Sequence, residues 1–216
     1  MPIARLSGLP GNTFFRLGAP PYLATNIAVP VGVQFPLWPE IESQAIIVAG
    51  DLAAPQYLWY RSDVDPALVT TGETAFFARE TTFSFTVLGV TVTATMNLSI
   101  AADNAFQSRV SIIPSLGLPV TFTFTDGNTS PLTNEVNPPF NWQNIYTFPV
   151  EFSLAAGVTS FTVEFEAKVV NYAQTLPGAN QQTNPAGFMY TMDFTNFVTT
   201  PTVTEVVPPS PTTPLV

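Results

Sequence analysis

Between Thr91 and Ile100 the chain alternates without a break. Val92, Ala94, Met96, Leu98 and Ile100 are apolar, and Thr91, Thr93, Thr95, Asn97 and Ser99 between them are polar. A period of two sends successive side chains to opposite faces, so the stretch predicts a half-buried β-strand. The same pattern returns at Phe83, Phe85 and Val87, and again at Val120, Phe122 and Phe124. It returns once more in GVTSFTVEFEAKVVNY, where Phe161, Val163, Phe165, Ala167 and Val169 form the inward set and Glu164, Glu166 and Lys168 face out. NIYTFPVEFSL and AGFMYTMDFTNF supply two further strands. No segment of similar length carries a 3.6-residue period. Short strands separated by Gly, Pro and Asn clusters predict an all-β, antiparallel sandwich or barrel.

The two ends read differently. Residues 1–44 are dense in proline among scattered aromatics, as in VGVQFPLWPE, and residues 198–216 form a Thr/Pro tail. Proline has no N–H to give a central strand, so both segments are expected to be extended arms flanking a body at 45–197. Within them Ile27, Val29, Val31 and Val33 alternate, and so does Thr202–Val207, with Thr202, Val203, Thr204 and Val206 as the residues expected to make contacts. Pro30 limits the first of these to an edge position.

Composition narrows the chemistry. There is no histidine and no cysteine, which removes thiol nucleophiles, imidazole bases, soft-metal sites and disulfides. Only hard, oxygen-coordinated cations such as calcium fit what is left, with Asp103, Asp126 and Asp193 as candidate donors. Net charge is −9, and Lys168 is the only lysine, so nucleic acid is not an expected partner. Charged residues make up 10% of the chain, so Thr, Asn, Ser and Gln must supply most of the polar surface. No apolar run is long enough for a transmembrane helix, and the N-terminus shows no signal peptide. Asp103 and Asn104 end the best strand, where Asx side chains cap turns through backbone bonds. Glu164 and Glu166 share a strand face, but no cleft is announced around them, so they are expected to be solvated and no enzyme is expected.

The landmarks also have an order. YLWYRSD, AFFARETTFSF, TATMNLSIAADNAF, FNWQNIYTFPV, VVNY and NPAGFMYTMDF follow one another between residues 57 and 194. This order resembles the galactose-binding-domain-like jelly roll of bacterial surface and spore-associated proteins, a module also found as an accessory domain of some glycosidases. The resemblance implies a jelly-roll sandwich and, as one option, carbohydrate binding. A glycan platform would draw on Trp38, Tyr60, Trp142, Tyr146 and Tyr172. The strand after the Asp-Asn turn, QSRVSIIPSLGLPV, departs from the family in carrying Pro114 and no Asn-Gly.

Arms, an uncharged polar surface and missing catalytic side chains point to a non-enzymatic structural subunit. Such a subunit would self-assemble by laying an arm along a neighbour's sheet edge. The setting would be extracellular or on a spore or cell surface, as a fibre, appendage or layer. A carbohydrate-binding adhesin and a viral capsid or spike protein are the alternatives. On this reading, removing residues 1–34 leaves a folded, monomeric body.

Overall fold

The computed structural model describes residues 3–32, 37–42, 46–64, 72–126, 141–172 and 186–216. Val33 and most of the 125–142 loop lie outside these. The described chain is all-β and folds as two facing sheets. The first sheet runs β10 (Tyr146–Leu154), β7 (Val92–Asp103), β12 (Gly187–Thr195), β1 (Ile3–Ser7) and β4 (Ile47–Gly50). Two short strands, β3 (Val29–Pro30) and β5 (Leu58–Trp59), join it beside β12. The second sheet runs β13 (Thr202–Glu205), β6 (Thr74–Ser84), β11 (Ser160–Val170), β8 (Ala105–Pro114) and β9 (Val120–Thr125), with β2 (Phe14–Arg16) also on β6. The chain changes sheet at every step from β6 to β13 except between β8 and β9.

The alternation decides which side chains meet. From the first sheet, Val92, Ala94, Met96, Leu98 and Ile100 face inward with Phe188, Tyr190, Met192 and Phe194. From the second, Phe161, Val163, Phe165, Ala167 and Val169 face them, together with Phe77, Phe83 and Val110. Ring packing fills the gap between the sheets: Phe83 stacks on Phe161 at 4.8 Å and meets Phe194 at 5.0 Å.

The N-terminal segment is not a separate arm. β1 lies between β12 and β4, pairing antiparallel with one from Ala4↔Phe194 to Ser7↔Thr191 and parallel with the other. Leu6 is fully buried in the core and Phe14 is buried on the outer face of the second sheet. The expected contact residues are also taken up within the chain. Ile27 bridges Phe14, Val29 pairs with Trp59, and Val31 packs against the core. A proline-rich stretch can still supply a central strand when the prolines flank it, as Pro2 and Pro10 flank Ile3–Ser7. The tail behaves in the same way: β13 pairs with β6 from Thr202↔Ser84 to Glu205↔Thr81.

Candidate functional site

Beyond β13 the tail leaves the sheet edge and crosses the outer face of the second sheet. Pro208, Pro209, Pro211 and Pro214 hold it extended and remove four donors, so few backbone N–H groups remain to be satisfied. Four of those that remain meet glutamates. The Val206 N–H bonds the Glu80 carbonyl at 2.9 Å, and the Ser210 N–H donates to Glu80 Oε2 at 2.8 Å. Thr212 gives its N–H to Glu164 Oε2 at 3.0 Å and its hydroxyl to Oε1 at 2.7 Å. The Leu215 N–H donates to Glu166 Oε2 at 2.8 Å. In the opposite sense, Arg16 Nη2 donates to the Leu215 carbonyl and Lys168 Nζ donates to that of Val216 at 3.2 Å.

Glu166 is the hub of this cradle and is only 1% exposed. Its Oε1 accepts from the Tyr22 hydroxyl at 2.8 Å, and its Oε2 also accepts from Arg109 Nη2 at 2.6 Å. The Arg16 guanidinium stands 3.7 Å away. A buried carboxylate is tolerated only when paired and hydrogen-bonded, and here a phenol, two guanidinia and a backbone amide meet that need. Apolar contact completes the seat. Leu215 packs with Phe14, Tyr22, Phe76 and Ala78, and Pro209 and Pro211 of the tail are also buried. The Arg16 guanidinium lies 3.9 Å from the Phe76 ring centroid, a cation–π contact that holds it over the face.

Sequence reasoning placed Glu164 and Glu166 on the outer face, where they are, but expected them to be solvated. They are 7% and 1% exposed because the tail covers them. The tail's return is a tertiary event that strand periodicity does not carry. A signal did exist for another buried charge. Arg79 has the same parity as Phe77 and Phe83, so period two already turns it inward. There it donates to the Ser7 carbonyl at 2.8 Å and to Asp51 Oδ2 at 2.6 Å, and it grips Glu205 through Nε and Nη2. Burial alone would lower its pKa; Tyr190, Glu205 and Asp51 outweigh that and hold it above the ordinary value.

The outer face of the first sheet carries a cleft of about 740 Å³, bordered by Arg5, Ile41, Ile47, Gln56, Tyr57 and Met189. Arg5 is already bidentate to Asp193, at 2.6 Å through both Nε and Nη2. Trp38 stacks on Tyr57 at 4.1 Å and lies so close to the backbone at Gly187 that a Cβ there would fall 2.6 Å from its ring.

The five platform residues are not gathered on one surface. Trp38 and Tyr172 are buried, and a stacked sugar needs an open ring face. Tyr60, Trp142 and Tyr146 are half-exposed; Tyr60 bonds Glu73 at 2.8 Å, Trp142 packs against the cluster that holds Trp38, Tyr57 and Met189, and Tyr146 meets Phe106 edge-on. The Asp103–Asn104 pair ties the turn together. Asp103 Oδ2 accepts from Trp38 Nε1 at 2.8 Å, and Asn104 Oδ1 accepts from the Tyr172 N–H at 2.7 Å. The three calcium candidates hold three different partners: Asp103 holds Trp38, Asp126 holds the Phe106 N–H at 2.8 Å, and Asp193 holds Arg5. Among the described residues no group of three or more His, Cys, Asp or Glu comes together as a cation site. No protein-family model matches the chain, and no curated protein matches it.

Buried phenols, Tyr22 of the cradle among them, give a measurable signature. Burial first, and then the Glu166 charge, hold Tyr22 well above the usual phenol range. Burial also raises Tyr57, and it pushes Tyr190 up to about 12. A raised phenol pKa contributes stability that is complete below the unfolded value near 10 and is lost as pH rises toward the folded value. Alkaline titration followed by phenolate absorbance should therefore leave these three tyrosines protonated at a pH where urea-unfolded chain is ionised. Ionisation of Tyr22 together with the exposed phenols, near the unfolded value, would show that the seat is open.

Proposed function

We propose that this chain is a non-enzymatic structural subunit of a protein-built surface assembly, joined by docking its C-terminal tail on the outer face of the second sheet. The carrying observation is the cradle itself. Glu80, Glu164 and Glu166 accept backbone N–H groups, while Arg16 and Lys168 donate to backbone carbonyls. A face that binds main chain in this way holds an extended proline-rich segment whichever copy supplies it. In the isolated chain the tethered tail fills its own cradle; in an assembly the same bonds form with a neighbour's tail. The first sheet's β10-β7-β12-β1 and the second's β6-β11-β8-β9, with the chain crossing between them, support the jelly-roll reading. The low share of charged residues supports a surface that meets other protein rather than free solvent.

Negative-stain microscopy of the full chain and of a chain lacking residues 206–216 tests this. The full chain should form ordered assemblies, and the shortened chain should remain folded, isolated and able to bind a synthetic 206–216 peptide. Isolated particles from the full chain, or assemblies that persist without the tail, would remove tail docking as the connector.

A further inference from the structure

We infer that the cradle on the second sheet selects the segment it holds. It takes an uncharged, proline-rich stretch with a threonine or serine at one position and an aliphatic side chain three residues on. This rests on the tail-docking reading and adds to it what a docked segment must carry, whichever copy supplies it. Within residues 206–216 the two positions are Thr212 and Leu215. They stand one turn apart in a proline-rich extended helix, so both return to the same face.

Glu164 sets the first requirement. It is 7% exposed, and both of its hydrogen bonds come from Thr212, the N–H giving to Oε2 and the hydroxyl to Oε1. No guanidinium or ammonium among the described residues pairs with it. Its register partner on β6 is Glu80, a second carboxylate on the same face. An ionised carboxylate only accepts, so this buried one is satisfied by donors that the segment brings. Among small side chains, those of serine and threonine place an O–H beside the residue's own N–H. An aliphatic residue at that position takes the donor from Oε1. An acidic one sets a third negative charge beside Glu164 and Glu80.

The seat of Leu215 sets the second requirement. Phe14, Tyr22, Phe76 and Ala78 form the apolar cluster around its side chain, while its N–H meets Glu166 and its carbonyl meets Arg16. A polar side chain there would give up water to apolar neighbours. Between the two positions, Pro214 has no N–H to satisfy. Thr213 is exposed and is not a donor to Glu164, so it serves as the internal control.

Hydrogen exchange of the Leu215 amide, followed by NMR in the dilute full chain, reports how often the tail leaves its seat. Thr212→Val keeps the backbone N–H and much of the side-chain shape while removing the hydroxyl. It should speed that exchange roughly ten- to a hundredfold, the loss of one hydrogen bond to a charged group. Thr212→Ser and Thr213→Val should exchange at close to the parent rate. Thr212→Asp should release the tail, leaving the Leu215 amide to exchange like that of an unstructured chain. Leu215→Asn should speed exchange of the Thr212 amide. Parent-like exchange in the Thr212→Val, Thr212→Asp or Leu215→Asn variant, or an equal effect from Thr213→Val, would overturn the selection. The readout needs no assembly, which keeps the two readings apart. Tail-dependent assemblies with a neutral Thr212→Val would sink the selection alone. Fast exchange in Thr212→Val, in a chain that never assembles, would sink the assembly reading alone.

Discussion

A chain beginning at residue 35 should fail to fold, where a free N-terminal arm would leave the body intact. The deletion removes β1 from between β12 and β4, together with β2 and β3. It strips Leu6 and Ala28, both fully buried, and Phe14 at 1% exposure. Each large apolar side chain lost forfeits roughly 1.5–3 kcal/mol of burial. It also leaves β12 with an unpaired edge and Asp193 without Arg5. Domains hold only about 5–15 kcal/mol in reserve, and this loss exceeds a large part of it. Circular dichroism and proton NMR dispersion of residues 35–216 would decide the matter. A cooperative thermal transition with dispersed methyl signals would restore the arm reading. A milder probe keeps the chain whole: Leu6→Ala should cost about 2–5 kcal/mol, and a cost near zero would mean β1 is not packed.

Arg79→Met should be the most damaging single change outside the apolar core. The guanidinium is 1% exposed and ties β6 to the Ser7 carbonyl, to Asp51 after β4, and to Glu205 of β13. Methionine fills much of the space but leaves two carboxylates without their cation. Breaking a buried pair from one side costs about 3–5 kcal/mol. Asp51 and Glu205 are 17% and 31% exposed, and Asp51 keeps the Ser7 N–H at 2.7 Å, so the lower end applies. At about 3 kcal/mol, Tm should fall by roughly 6–12 °C for a chain of this size. Adding Glu205→Gln to the methionine variant should recover part of the loss, because the stranded charge is its main source. If calorimetry shows no recovery, the damage lies in packing instead.

The long strands were legible because each buries one face and solvates the other. Val92–Asp103 and Ser160–Val170 need nothing beyond period two to be found. The short strands were not. Ile3–Ser7 and Phe14–Arg16 have too few residues for a period to register, and their place in a sheet comes from partners far along the chain. Alternation correctly turned Glu164 and Glu166 outward, but nothing local says that the tail returns over them. Exposure of the aromatic candidates was equally non-local: Trp38 is buried because a loop lays it against Tyr57 and Gly187.

The pairing of β1 with β12 also has a consequence in time. Ile3–Ser7 leaves the ribosome long before its antiparallel partner, Gly187–Thr195. At ordinary synthesis rates the first strand waits roughly 10–40 s for that partner to emerge. Until then the first sheet cannot close, and alternating segments such as Val92–Asp103 stand with open edges. Pairings between distant segments are slow to form and leave such intermediates prone to aggregate. Recovery of soluble chain should therefore depend on temperature and chaperone supply during synthesis, while refolding of the complete chain, with both strands present from the start, should depend less on chaperones.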